Sequence, residues 1–434
     1  MLTLLPNALQ FLITSFLFNS PPSQLPLQPE NGLNGVNELA TMSFHLRHVH
    51  SVSRNDSRRV VFSDFVPGKG FWSEGEDEGY SYQVKTHSIL THRPSSFHAF
   101  NQARFNPDSI HPQSPAALWN PIQVPAPNVT DRETLLTLAK MTNNAYFQSS
   151  NDSNWYDLGT EWDNNGTYSY GWEPDADGFR GHVFVSSDTV SKDSKEPKTV
   201  VISIKGTSVP WVGGGPTMKK DKINDNLLFS CCCARVGPTW STVCGCYQGG
   251  YKCDAGCVEK ALVEESLFYP IGTNLYNNIS YMYPNSNIWV IGHSLGGALA
   301  SLVGQTFGTP VVAFEAPAER MAAKRLHLPT PPSNAHITHV FNTADPIPMG
   351  TCTGMTSTCA NAGYAMESRC HAGKIIRYDT IGKRGWSSNV QNHPIKVVIN
   401  NILNEDWEEG VQVPEAVDED EDCEEQECMT WNFI

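Results

Sequence analysis

Ser294 lies at the centre of Gly292-His293-Ser294-Leu295-Gly296, and the flanks of this pentad decide what its hydroxyl can do. Before it, Asn287-Ile288-Trp289-Val290-Ile291 is apolar, β-branched and of strand length. After it, residues 297–304 are small and apolar, a helix able to pack closely on a sheet. A strand–turn–helix forces Ser294 onto a sharp, strained turn that exposes Oγ, while Gly292 and Gly296 leave room for neighbouring backbone. The pentad alone is common by chance. Its weight comes from the flanks and from partners at workable spacing.

A serine hydroxyl is a weak nucleophile at neutral pH. It needs a base within hydrogen-bond reach, and a carboxylate to hold that base in the right tautomer. On such a strand–turn–helix the chain order is serine, acid, histidine. Asp345 follows the strand-like 337–341 and precedes Pro346; Glu315, after Phe314, is the rival acid, only 21 residues past the serine. His393 hangs in a polar loop before the helix-like 395–399, whereas its rival His371 sits beside Cys370. His293, inside the pentad, points away from substrate in such turns and supports the loop. For the developing oxyanion the expected donors are the N–H of Leu295 and the Lys205-Gly206-Thr207 turn, where Thr207 offers its N–H and orients its hydroxyl. An acyl-enzyme route calls for no cofactor and no metal.

These groups must be carried by strands and helices in alternation. Strand-like runs at 181–185, 199–204, 287–291, 310–314 and 337–341 alternate in the later half with helix-like stretches, which predicts an α/β fold with a mostly parallel central sheet flanked by helices. Thr130 is read as capping a helix through Asp131-Arg132-Glu133, with Leu135, Leu136, Leu138, Ala139 and Met141 on its buried face. The expected organisation is an apolar N-terminal anchor (1–18), a linker and peripheral extension without a defined fold (19–125), a catalytic domain (126–404) with a cysteine-rich insertion and candidate lid (209–259), and an acidic tail (405–434).

The net charge of −15 is mostly local, because the 13 acidic residues between Glu405 and Glu427 leave 32 acidic against 30 basic elsewhere. A nearly neutral body gives no support to nucleic-acid binding, and the acidic segment reads as a solvated tail. Twelve cysteines, with Asn-x-Ser/Thr acceptors at Asn55, Asn128, Asn151, Asn165 and Asn278, point to disulfides and glycosylation in an oxidising lumen. The rival reading takes Cys244, Cys246, Cys253 and Cys257 as zinc ligands. No charged side chain precedes Glu30, and residues 2–18 as a helix would reach ~26 Å, a signal sequence or marginal anchor. An uncleaved anchor is preferred because Phe18-Asn19-Ser20 lacks a small-x-small pattern.

The chain resembles the class 3 lipases of the α/β-hydrolase fold, and more closely the fungal autophagy-related vacuolar lipases. The likeness is carried by residues 292–298, the Lys-Gly-Thr turn, Phe314-Glu315-Ala316-Pro317, residues 322–329, Thr343 to Cys352, 362–367 and Arg369-Cys370-His371. It implies that Ser294, Asp345 and His393 are the charge-relay residues. It also implies a single-pass type II glycoprotein that passes through endoplasmic reticulum, Golgi and multivesicular bodies. In the vacuole such a protein hydrolyses membrane lipids (phospholipids, with neutral lipids a further class) and disintegrates autophagic bodies. A small-ester hydrolase and an inactive lipid-binding module are the alternatives. The short anchor without a basic flank departs from that pattern.

Overall fold

Thr199-Val-Val-Ile-Ser-Ile204 and Asn287-Ile-Trp-Val-Ile-Gly-His293 are buried along almost their whole length, as strands covered on both faces must be. Alternate residues serve opposite layers. Val200, Ile202, Ile288 and Val290 pack with the helices Phe268–Met282 and Leu295–Phe307, whereas Val201, Trp289 and Ile291 pack with Arg132–Asn144 and Ile395–Asn401. The computed structural model describes residues 40–53, 56–64, 82–105, 118–147, 154–156, 178–207, 218–234, 242–265, 268–419 and 423–434.

Within these residues the strands are β1 (Ala40–Ser53), β2 (Asp56–Asp64), β3 (Tyr82–Pro94), β4 (Trp119–Pro127), β5 (Arg180–Ser186), β6 (Thr199–Ile204), β7 (Tyr247–Gly249), β8 (Lys252–Cys253), β9 (Asn287–His293), β10 (Val311–Phe314), β11 (Ile337–Asn342), β12 (Lys374–Tyr378), β13 (Val417–Asp418) and β14 (Asn432–Phe433). The main sheet runs β13-β12-β11-β10-β9-β6-β5-β1-β3-β4, with β2 paired to β1. β6, β9, β10, β11 and β12 are mutually parallel; every other pairing of the main sheet is antiparallel. Helices on both faces and a nucleophile-bearing turn at the carboxyl end of β9 make this an α/β-hydrolase arrangement. The sheet is mixed, however, rather than mostly parallel.

Residues 40–127 are not a peripheral extension: β1 to β4 form one wing of the main sheet, and the expected boundary at 126 falls inside β4. Their polarity hides them from a hydropathy reading: buried histidines of β1 hydrogen-bond groups on other elements, although His50 Nδ1 has no partner among the described residues. The ring of His50 donates to the Ser203 carbonyl at 3.1 Å, and His48 reaches the Tyr283 hydroxyl at 2.5 Å. The helix after β4 starts one residue later than expected, at Arg132. Its N-cap is Asp131, whose carboxylate accepts from the Thr134 N–H at 2.9 Å and from Lys85 at 2.7 Å.

All twelve cysteines are paired, as Cys231–Cys428, Cys232–Cys253, Cys233–Cys244, Cys246–Cys257, Cys352–Cys359 and Cys370–Cys423. The four residues of the zinc reading are therefore bridged. The acidic segment is not a free tail either: two disulfides tie it down, Trp431 is buried, and β14 lies parallel to β8. Its carboxylates act as acceptors, with Glu419 taking the His371 N–H at 3.0 Å and Glu427 the Arg369 N–H at 2.8 Å. Among the described residues no helix is long and apolar enough to cross a membrane; the expected anchor, 1–18, lies outside them.

Candidate active site

Ser294 occupies φ 56°, ψ −132°, a conformation costly for a residue with a Cβ and held here by its surroundings. Both glycines of the pentad are sterically required. A Cβ on Gly292 would lie 2.3 Å from the Gly296 carbonyl oxygen, and one on Gly296 would lie 2.3 Å from that of Ile204. Gly297 and Gly304 let the following helix press on Ala313, Ala316 and Val311. Gly308, at φ 61°, ends that helix in the left-handed conformation.

The histidine and the acid converge on this turn from two other strands' connections. Asp345 follows β11 in a turn closed by its own Oδ1, which accepts the Ile347 N–H at 3.0 Å. His393 follows the short helix Val390–Asn392, and that loop is stapled to the acid turn. The Asn389 N–H reaches the Ala344 carbonyl at 2.9 Å, and the Asn392 side chain reaches it at 3.2 Å. His393 Nδ1 lies 2.6 Å from Asp345 Oδ2, and its Nε2 lies 2.8 Å from Ser294 Oγ. A buried carboxylate can only accept, so Nδ1 carries the proton and Nε2 is free to take that of the serine. Asp345 is fully buried and Ser294 nearly so.

The rivals lie elsewhere. His371 stacks on Phe341 and bonds Glu419 and the Ala316 carbonyl. Glu315 lies beside Asp345 instead of beside a histidine, and accepts from the Asn342 N–H and side-chain amide at 3.1 and 2.9 Å. Burial, then the Asp345 charge and a hydrogen bond to it, holds the Glu315 carboxyl well above the usual range. His293 donates from Nε2 to the His393 carbonyl at 2.9 Å and accepts at Nδ1 from Tyr146 at 2.6 Å. Burial, reinforced by His393, keeps His293 neutral.

Around the oxyanion position, Leu295 opens its helix, so its N–H has no intrahelical partner. Gly206 brings the upstream turn so close that a Cβ there would lie 3.0 Å from Ser294 Cβ. The Thr207 hydroxyl points to Asp225 Oδ2 at 2.6 Å, which leaves the N–H as its free donor. Beneath the turn, burial pushes Asp225 up to about 8 and draws Lys205 down to about 8, with Lys205 ion-paired to Asp221 at 3.2 Å. Asp225 was hidden within the stretch read as a lid. The described parts of that stretch are anchored, with Leu228 and Phe229 in the core and four disulfides across it; 209–217 and 235–241 lie outside the described residues. Of the glycosylation acceptors, Asn278 is exposed on its helix and Asn128 is half-buried with its side chain on Thr130. Asn55, Asn151 and Asn165 lie outside the described residues.

Comparison with known proteins points to a lipase family. Residues 236–353 match the family model described as "Lipase (class 3)". A Cryptococcus neoformans var. neoformans protein named "Putative lipase ATG15" is 54% identical over 303 residues, covering 68% of this chain and 56% of its own. Its namesake in Mycosarcoma maydis is 52% identical over 312 residues, 69% of this chain and 57% of its own. The chain thus spans a little over half the length of these curated relatives. A solved Yarrowia lipolytica LIP2 lipase covers 55% of this chain and 77% of its own at 16% identity, with a TM-score of 0.29, too distant to carry an argument. Identity of 54% and 52% over 68% and 69% of this chain, with the class 3 family match beside it, gives the family: the chain belongs to the fungal ATG15 lipases of class 3.

Proposed function

We propose that the protein is a serine carboxylic-ester hydrolase that cleaves membrane lipids. The observation that carries this reading is the unbroken relay from Ser294 Oγ through His393 to Asp345 on a strained turn. Ser294 Oγ attacks the ester carbonyl carbon while His393 Nε2 takes its proton, and Asp345 stabilises the imidazolium. The oxyanion accepts from the N–H groups of Leu295 and Thr207, each worth about 3–4 kcal/mol of barrier. His393 returns the proton to the leaving alcohol. Water then attacks the acyl-serine, with His393 again the base, and the fatty acid leaves.

Phospholipids are the proposed substrates, with neutral lipids a second class. The ATG15 relatives' lipase name supports a lipid ester, and the disulfide-rich body supports an oxidising compartment. We place the chemistry in the vacuole lumen, reached through the secretory and multivesicular-body route by a type II anchor at residues 1–18, where it lyses autophagic bodies.

The test is purified protein, wild type and Ser294→Ala, on mixed phosphatidylcholine–phosphatidylserine vesicles and on a triacylglycerol emulsion, with products identified by mass. Wild type should release fatty acid and label with a fluorophosphonate; the variant should do neither. Full activity in Ser294→Ala would overturn the reading.

A further inference from the structure

Two carboxyl groups meet at the base of the relay, and neither has a donor of its own unless one keeps a proton. Asp345 Oδ2 faces His393 Nδ1, and Oδ1 accepts from Ile347. Glu315 hydrogen-bonds the same carboxylate from the end of β10, where φ is 43°. Its Oε1 is occupied by two donors from Asn342, the N–H and the side-chain amide. Asn342 also bonds the Asn392 carbonyl at 3.3 Å, one residue before His393. No solvent reaches either acid.

We propose that Glu315 is a positioning residue of the relay: it carries a proton, donates it in a hydrogen bond to Asp345, and so fixes the carboxylate that orients His393. This rests on the Ser294 reading above. With Glu315 neutral, the buried pair holds a single negative charge and Asp345 is gripped by three donors. Loss of the Glu315 proton would set two buried like charges in contact. The ionisable group acting directly on Glu315 is Asp345; beyond it lie His393, on Asp345, and His293, on the His393 carbonyl. Burial raises the carboxyl, so its contribution to stability is full below the ordinary glutamate range and is lost as pH rises through the folded value.

Glu315→Gln keeps a donor for Asp345 and an acceptor for Asn342, whereas Glu315→Ala removes both. On a soluble short-chain ester, Glu315→Gln should hold kcat within about threefold of wild type and extend activity to higher pH, because its donor does not titrate. Glu315→Ala should lose at least about tenfold in kcat with KM nearly unchanged. Wild-type kcat in Glu315→Ala, or a Glu315→Gln pH profile superimposable on wild type, would overturn the proposal. If Glu315→Ala does not fold by thermal unfolding, the Glu315→Gln profile alone decides. Ser294→Ala, run alongside, separates the two readings: activity there removes the nucleophile assignment, while an inert Ser294→Ala beside an unaffected Glu315→Ala removes Glu315 only.

Discussion

The ring of His293, the residue before the nucleophile, hydrogen-bonds the main-chain carbonyl of His393, the residue that activates it, at 2.9 Å. The turn that strains Ser294 thereby also fixes its base. His293→Ala should lower kcat by roughly 10–100-fold with KM little changed, since a displacement of about 1 Å in such a site costs that much. Fluorophosphonate labelling rates should fall by the same factor. An unchanged labelling rate would show that His393 needs no support from the turn.

Asp345→Asn removes the charge and offers His393 the wrong tautomer while preserving shape. We expect kcat to drop by about 10³–10⁴ with thermal stability close to wild type. Steady-state kinetics on any turned-over ester, paired with a melting curve, checks both halves.

Gly296→Ala would drive a Cβ to 2.3 Å from the Ile204 carbonyl, backbone against backbone with no flexible end to yield. A loss of stability above about 3 kcal/mol is expected, as for severe overpacking of a core. Soluble, fully active Gly296→Ala would contradict the packing described for the turn.

His50 and His182 are buried and neutral, drawn down to about 4 and about 3 by burial. The unfolded chain protonates them near 6.5, so the stability they contribute is present above that pH and is lost as pH falls below it. The melting temperature should therefore decline from pH 7 to pH 4. His182→Phe, which keeps the ring packing against Trp155 and Phe184, should flatten the decline.

The site was more legible in the sequence than the fold around it. A pentad between a strand and a small-residue helix names Ser294, and a carboxylate just past a strand and a histidine beyond the following strand stand where chain order requires. Asp225 and Tyr146 are not legible as partners, because they meet Thr207 and His293, 18 and 147 positions away. Glu315 also fits the chain order for the acid, and only the fold sets it against Asp345. The wing of the sheet, β1 to β4, escapes a hydropathy reading because polar residues such as His48 and His50 stand at its buried positions. In the acidic segment, charge counting cannot separate solvated carboxylates from Glu419 and Glu427, which take up main-chain N–H groups.

Cys231, Cys232 and Cys233 are adjacent in the chain but their partners are not equally near. Cys232 and Cys233 pair with residues 21 and 11 positions on, and Cys231 waits for Cys428, 197 positions on. At about 5–20 residues per second, that wait is roughly 10–40 s of synthesis. For that interval a reduced thiol stands beside two bridges that it can attack, while the nucleophile, the acid and the base are all being made. Correct closure is thus a matter of timing as well as geometry, since the waiting Cys231 thiol can exchange with either neighbouring bridge before Cys428 arrives.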